Sequence, residues 1–215
     1  MTGKKEFSVL PASVKNWFIN LIEPFIDGIV RLNVHPNHFT VLGLFISVVG
    51  AIFYAKHDIR LGGLFILLGG ICDIIDGKVA RKSGLSSKFG ALLDSSLDRY
   101  AEVFMFLGVA IYFVEKNHPL TSIMVFLALG GSMMVSYVRA RAEGLGYECK
   151  VGIMQRPERI VYIGFSSLIH PYLLEVVVWM IAILANFTAL QRMYHVWRLE
   201  KSEKSREGLE EEVGV

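Results

Sequence analysis

The sequence predicts an all-α integral membrane protein with six transmembrane helices and an N-terminal interfacial amphipathic helix. Hydrophobic residues make up 53% of the 215-residue chain, and its mean hydropathy is +0.47, which is too apolar for an ordinary soluble domain. Six apolar runs follow one another along the chain. Basic residues collect in alternate connections between these runs, as the positive-inside rule expects.

The first predicted element is the amphipathic helix, over residues 13–32. Its apolar side chains recur at steps of three and four, and polar residues such as Glu23 and Asp27 fill the opposite face. Pro24 is expected to bend it. Because the polar face would be unsatisfied in hydrocarbon, we expect this helix to lie in the plane of the membrane interface.

The six apolar runs are predicted to be membrane-spanning helices. The fifth is short, because even when it begins at Pro157 it rises only about 20 Å, less than the ~30 Å thickness of a hydrocarbon core. The second and third are expected to continue as helix beyond the hydrocarbon. The runs are Phe39–Ala55, Leu61–Ile75, Tyr100–Val114, Leu120–Val138, Ile160–Ile169 and Tyr172–Leu190.

The placement of positive charge predicts the topology. With both termini inside, 18 of the 22 lysines and arginines fall in cytoplasmic segments, which supports six spans in the cell membrane. The chain is thereby divided into an N-terminal segment (1–38), a six-span domain (39–199) and a tail (200–215). The tail is charged and lacks aromatic residues, so we expect it to be disordered.

Four aspartates form the main functional pattern, because a carboxylate at the end of an apolar run is costly. Asp73 and Asp76 are three residues apart, and Asp94 and Asp98 are four apart, so each pair shares a helix face. The polar connection between the two pairs predicts a helical hairpin on which all four converge. Such oxygen donors suit Mg²⁺ or Mn²⁺, and two ions could clamp phosphate oxygens.

Arginines collect near the ends of the last three spans, on the same membrane face as the aspartates. Such a cluster suits an anionic acceptor, most simply a phosphate monoester. Pairing with nearby glutamates, or contact with anionic lipid headgroups, are competing interpretations. Arg141 and Arg156 are expected to be structural. The cluster comprises Arg139, Arg141, Arg156, Arg159 and Arg192.

The pattern D-x2-D-G-x2-A-R-x8-G-x3-D-x3-D, from Asp73 to Asp98, resembles the signature of the CDP-alcohol phosphotransferase family at every fixed position. Members transfer a phosphatidyl group, or its ether-lipid equivalent, from a CDP-lipid to an alcohol and release CMP. The resemblance implies a homodimer and a site in which Asp98 is also the general base. The implied metal ligands are Asp73, Asp76, Asp94 and Asp98. The implied contacts to the CDP-lipid are Pro36, Asn37, His38, Phe39, Gly77, Arg81 and Ser87.

Within the family, the segments SYVRARAEGLG and QRPERIVYIG resemble those of inositol-phosphate-using members. This resemblance implies that 1D-myo-inositol 3-phosphate is the acceptor and that CDP-diacylglycerol or CDP-archaeol is the donor. It also implies that Arg139, Arg159 and Arg192 bind the acceptor phosphate. Some relatives have a lysine at the position of Arg139, where the contact geometry therefore differs.

Other functions stay open on the sequence alone. Glycerol 3-phosphate also carries a phosphate, so the arginines do not separate it from inositol phosphate. A cation transporter would place its carboxylates near the middle of the membrane, whereas these lie at span ends. A structural membrane adaptor would leave the aspartate spacing unexplained. No nucleic-acid partner is expected.

Overall fold

The computed structural model describes residues 12–32 and 34–213, and this part of the chain forms seven α-helices without a strand. Each predicted span lies within one of the helices α2–α7, and the predicted amphipathic helix corresponds to α1, so the all-helical class is confirmed. Residues 1–11 of the predicted N-terminal segment lie outside the described part. The helices are α1 (Ala12–Arg31), α2 (Asn37–Ala55), α3 (Ile59–Ser83), α4 (Lys88–Glu115), α5 (Pro119–Gly144), α6 (Arg156–Ile169) and α7 (Pro171–Val213).

Local sequence signals set the ends of α3 and α4. At the start of α3, Asp58 accepts a hydrogen bond from the Leu61 amide at 3.0 Å. At the start of α4, Ser87 accepts one from the Gly90 amide at 2.9 Å. Both are N-caps that satisfy a backbone donor left free by the helix. Helix α3 ends at Gly84, whose φ of +70° is left-handed, as is common at helix C-termini.

Two pairs of adjacent glycines on α3 allow its close packing on two neighbours at once. A Cβ at Gly62 would lie 2.9 Å from the Tyr54 ring of α2, and a Cβ at Gly63 would lie 2.7 Å from the Gly164 carbonyl oxygen of α6. The second pair, seven residues later at 69 and 70, repeats this division between α2 and α6. Since seven residues are about two helical turns, the two faces run along α3 and point toward the aspartates at its end.

The same close packing brings α6 near α2. The Tyr54 hydroxyl of α2 and the Ser167 hydroxyl of α6 lie 2.6 Å apart and are buried. Helix α2 also packs against α4, while α5 packs against α7 and α4. Helices α2, α3, α4 and α6 therefore surround the space where the site is found.

Helix α1 is anchored to the polar end of α3. Ile26 belongs to a small buried cluster that includes Val79 of α3. The Lys82 ammonium lies 2.6 Å from an Asp27 carboxylate oxygen and 3.0 Å from one of Glu23. Hydrogen bonds to Asp27 and then Glu23 raise the pKa of Lys82 above its ordinary value. The side chains of residues 12–21, which carry half of the predicted apolar stripe, lie outside the described part.

The C-terminal end of α7 differs from the prediction of a disordered tail over residues 200–215. Helix α7 continues to Val213. The segment is rich in glutamate, lysine and arginine, which favour helix. A Lys204 nitrogen lies 2.7 Å from a Glu200 oxygen one turn earlier, a spacing that supports helix. The charge of the tail and its lack of aromatic residues had predicted disorder, and they do not reflect this local preference for helix.

Within the described part of the chain, three helices are long and apolar enough to cross a membrane: Asn37–Ala55, Pro119–Gly144 and Pro171–Ser205. The other three predicted spans are helical, but charged residues lower their hydropathy, and α6 has only 14 residues. The count of six spans therefore stays a prediction, and so does the placement of α1 in the interface.

We predict that Gly63→Ala destabilises the fold, because its new methyl group would meet backbone of α6 and overpacking costs about 1–3 kcal/mol. Gly130→Ala on α5 is the matched control, since nothing lies within 4 Å of a Cβ there. Thermal unfolding of the purified protein in detergent should show a lower midpoint for Gly63→Ala only. Equal midpoints for the two variants would contradict the close-packing role.

Candidate metal and phosphate site

Three of the four predicted aspartates come together between α3 and α4. Asp73, Asp76 and Asp94 each offer a carboxylate oxygen, and these oxygens lie within 4.8 Å of one another. Asp76 is buried, whereas Asp73 and Asp94 are half-buried. The structure thus brings these three side chains together, as the sequence spacing predicted. We call Asp73, Asp76 and Asp94 the carboxylate cluster.

The carboxylate cluster has the properties of a cation site. Asp76 Oδ2 and Asp94 Oδ1 are buried and have no hydrogen-bond partner among the described residues, an arrangement that is costly. Two negative charges 4.8 Å apart also repel by roughly 3–4 kcal/mol at an effective dielectric constant of about 20. A divalent cation would relieve both penalties. Because all the donors are oxygens, the residues fit Mg²⁺ or Mn²⁺.

Asp98 lies beside the carboxylate cluster and is held by Arg156. The Arg156 Nη2 atom is 2.6 Å from Asp98 Oδ1, and its Nη1 atom is 2.9 Å from Asp73 Oδ2. One guanidinium of α6 therefore bridges α4 and α3. Arg99 is a more distant neighbour of Asp98, at 3.6 Å. The four aspartates are thus divided into a group of three and a fourth that shares an arginine with that group.

A narrow cleft, whose empty space of about 430 Å³ includes open solvent, lies between α2, α3, α4 and α6. Glu102, one helical turn after Asp98, lines the deeper part of the same wall with Met105. The charged residues that line the cleft are Asp73, Asp76, Asp98, Glu102 and Arg156.

Two of the three arginines expected to bind the acceptor phosphate are fully buried. Arg159 is 0% exposed; its Nε donates to Glu102 at 2.7 Å and its Nη1 donates to the Met154 carbonyl at 3.2 Å. Arg192 is 2% exposed, and its Nε donates to the Val151 carbonyl at 2.8 Å. Both arginines therefore hold the connection between α5 and α6.

The third predicted acceptor residue, Arg139, is accessible. Its side chain is 42% exposed and its Nε donates to Glu143 at 2.8 Å, so pairing with a glutamate, one of the competing interpretations, is observed here. The Arg192 Nη1 atom donates to the carbonyl of Val135, one helical turn before Arg139 on α5. The structure therefore brings the three arginines into one region. Glu102 of α4 contacts Arg159 and lies one helical turn after Asp98, so it connects this region to the aspartates.

The residues expected to contact the CDP group fall into two local groups. At the first, a Cβ on Gly90 would lie 3.4 Å from the Asn37 side chain and 3.0 Å from Ser87 Oγ, so the starts of α2 and α4 meet. At the second, the Arg81 guanidinium lies 3.5 Å from a Cβ placed on Gly77. Pro36 is buried just before α2, His38 is exposed in its first turn, and Phe39 packs against the α1–α3 cluster.

The sequence analysis did not identify Glu102 or Thr40 as site residues, and it did not place Arg156 at the aspartates. Arg156 was expected to be structural, whereas the structure places its guanidinium on two of the aspartates. Glu102 repeats the four-residue step from Asp94 to Asp98, a signal that could have identified it. Thr40 of α2 lines the same cleft as Asp76, and no pattern in the sequence pointed to it.

Comparison with known proteins places this geometry in a family. The sequence profile described as CDP-alcohol phosphatidyltransferase matches residues 33–195. The chain belongs to this family. Membership confirms the resemblance found in the aspartate pattern, identifies the chain as an integral membrane protein of the phospholipid transferase class, and does not favour the cation-transporter and adaptor interpretations.

Curated relatives are similar over most of the chain. The archaetidylinositol phosphate synthase of Methanothermobacter thermautotrophicus is 36% identical over 192 residues, which cover 86% of this chain and 95% of the relative. The phosphatidylinositol phosphate synthase of Mycobacterium tuberculosis is 30% identical over 200 residues, which cover 88% of this chain and 92% of the relative.

The fold also resembles solved structures of the Mycobacterium tuberculosis phosphatidylinositol phosphate synthase. The structure with CDP-DAG bound has a TM-score of 0.74 and 28% identity, and the match covers 81% of this chain and 92% of that one. The structure in complex with manganese and citrate has the same TM-score and covers 88% of its own chain.

Proposed function

We propose that the protein transfers a phosphatidyl or archaetidyl group from a CDP-lipid to 1D-myo-inositol 3-phosphate and releases CMP. The observation that carries this proposal is the carboxylate cluster with unpartnered buried oxygens, next to a group of arginines on α5, α6 and α7. The first arrangement suits a diphosphate with its cations, and the second suits an acceptor that brings its own phosphate. The names of two relatives, archaetidylinositol phosphate synthase and phosphatidylinositol phosphate synthase, support this acceptor.

The metal ligands in this proposal are Asp73, Asp76, Asp94 and Asp98, and the ions are two Mg²⁺ or Mn²⁺. Manganese is present in one related structure. Bound divalent ions would supply positive charge to the diphosphate oxygens and acidify a nearby hydroxyl. The chain itself contributes the oxygen donors and a rigid frame, because the glycine-lined faces of α3 fix its distance from α2 and α6.

The CDP-lipid is proposed to lie across the starts of α2 and α4 and the end of α3. Asn37 and Ser87 are already adjacent through Gly90, and the segment Pro36–Phe39 turns the chain into α2 at this place. Gly77 leaves room beside Arg81, whose guanidinium could neutralise a phosphate oxygen. The hydrocarbon chains of the CDP-lipid would stay in the bilayer, in contact with the apolar faces of the helices.

The reaction needs one proton acceptor and a path for the leaving group. In the proposal, Asp98 accepts the proton of the acceptor hydroxyl, and that oxygen forms a bond to the phosphorus carrying the lipid. The bond from this phosphorus to the CMP oxygen breaks, and CMP leaves with the electron pair. Arg139, Arg159 and Arg192 would hold the acceptor phosphate so that its hydroxyl faces Asp98, and the buried Arg159 and Arg192 would exchange part of their present contacts with Glu102 and backbone carbonyls for phosphate oxygens.

An acceptor assay tests the proposal. Purified protein with CDP-diacylglycerol or CDP-archaeol should release CMP at least about ten-fold faster with 1D-myo-inositol 3-phosphate than with glycerol 3-phosphate. Free myo-inositol should be inactive, because it lacks the phosphate that the arginines would bind. EDTA should abolish release, and Mg²⁺ or Mn²⁺ should restore it. Preference for glycerol 3-phosphate would overturn the acceptor, and no CMP release with any acceptor would overturn the transferase.

Asp98→Asn tests the proton acceptor. Loss of a general base lowers turnover by about 10²–10⁴-fold. Asp98 is also a proposed metal ligand, but the three residues of the carboxylate cluster are unchanged, so Mn²⁺ binding at that cluster should persist. Turnover at saturating metal and Mn²⁺ binding by electron paramagnetic resonance measure the two effects. Near-normal turnover in this variant would require another base.

The membrane topology forms part of the proposal. Six spans, with both termini and the site on the cytoplasmic side of the cell membrane, agree with the distribution of basic residues. The span domain would cover residues 39–199, preceded by the segment 1–38 with its interfacial helix. The homodimer implied by the family resemblance stays a prediction that a mass measurement in detergent would test.

Cysteine labelling tests this topology. Ser86→Cys lies in the connection between α3 and α4, and Lys116→Cys lies in the connection between α4 and α5; both positions are exposed. In intact cells, a membrane-impermeant maleimide should label Lys116→Cys but not Ser86→Cys until the membrane is permeabilised. The parent chain, whose Cys72 and Cys149 are buried, is the control. The reverse pattern would invert the proposed orientation.

A further inference from the structure

Arg156 lines the cleft, and the proposed function assigns it no task. Its side chain is only 16% exposed, although it carries a full positive charge. It begins α6, immediately after the connection that Arg159 and Arg192 hold through backbone carbonyls. The position of its guanidinium is therefore fixed by the same buried contacts that fix the start of α6.

The contacts of Arg156 divide the aspartates into two groups. Its two nitrogens bind Asp73 and Asp98 at 2.9 and 2.6 Å, a bridging geometry that a planar guanidinium provides and an ammonium does not. Asp98 is absent from the group of oxygens that lie within 4.8 Å of one another, whereas Asp73 belongs to it. The bridge thus holds Asp98 next to the carboxylate cluster and on the side of α6.

The charge of Arg156 also acts on any cation that enters the site. A positive charge within a few ångströms of a divalent ion repels it, and partial burial leaves that repulsion less screened than it would be in bulk water. At the same time it offsets part of the repulsion among the carboxylates. A site with this arginine therefore binds metal more weakly than the carboxylates alone would.

We propose that Arg156 is a positioning residue that orients Asp98 for the acceptor hydroxyl and lowers the affinity of the carboxylate cluster for divalent cations. This inference rests on the proposed function for its first half, since orientation matters only if Asp98 takes a proton. Its second half is independent of the reaction. Removing the guanidinium should therefore strengthen metal binding and weaken catalysis, a combination that a merely structural residue would not give.

The test compares Arg156→Gln, Arg156→Lys and the control Arg141→Gln, which removes an exposed positive charge from the end of α5. Mn²⁺ binding is measured by electron paramagnetic resonance on purified protein without substrate, and CMP release is measured at saturating Mn²⁺. We expect Arg156→Gln to bind Mn²⁺ about ten-fold more tightly and to turn over at least about ten-fold more slowly. Arg141→Gln should stay within about two-fold of the parent in Mn²⁺ affinity.

Arg156→Lys keeps the charge but cannot bridge both carboxylates. It should bind Mn²⁺ with nearly the parent affinity and still lose turnover, and it covers the case in which the glutamine variant does not fold. Unchanged or weaker Mn²⁺ binding in a folded Arg156→Gln protein would overturn the electrostatic role. Parent-like turnover in Arg156→Lys would overturn the orienting role. If the parent releases no CMP, the proposed function fails, but the Mn²⁺ comparison still decides whether Arg156 controls metal affinity.

Discussion

Mutual repulsion among closely spaced carboxylates is the constraint on which the rest of the structure depends. Asp73, Asp76 and Asp94 present oxygens within 4.8 Å of one another, and Asp76 is only 5% exposed. Such an arrangement of ionised carboxylates is costly unless positive charge compensates it. The chain supplies part of that charge through Arg156, and the unpartnered oxygens of Asp76 and Asp94 leave room for more. A divalent cation would supply the remaining positive charge and would also bind the oxygens of a phosphate ligand.

The helices keep this charged group assembled by packing glycines of α3 closely against the backbone and side chains of neighbouring helices. In a bilayer, lipid tails are as apolar as leucine, so helices associate through close contact of small residues. The repeated glycine pairs of α3 achieve this on two faces, toward α2 and toward α6. Because α6 is fixed in this way, its first residue, Arg156, meets α3 and α4 at the aspartates. Packing deep in the helices thus determines the geometry at their polar ends.

Much of this arrangement could be predicted from the sequence, because helix periodicity and hydropathy are local properties. The spacing of Asp73, Asp76 and Asp94 predicted their convergence, and the aspartate pattern predicted the family. The role of Arg156 could not be predicted, because its partner Asp73 lies 83 residues away along the chain. The contact between them depends on how α6 packs. The burial of Arg159 and Arg192 was likewise invisible, since a sequence shows a cluster of charges but not which carbonyls satisfy them.

The most direct test of the account is to locate Mn²⁺ by anomalous diffraction in crystals of the protein. The account predicts an anomalous peak at a position about 2.1 Å from oxygens of Asp73, Asp76 and Asp94, with Arg156 beside it. A Mn²⁺ peak elsewhere in the protein, with the oxygens of these three aspartates bound to other protein groups, would contradict the central claim. The acceptor and donor assignments would then lose their physical basis.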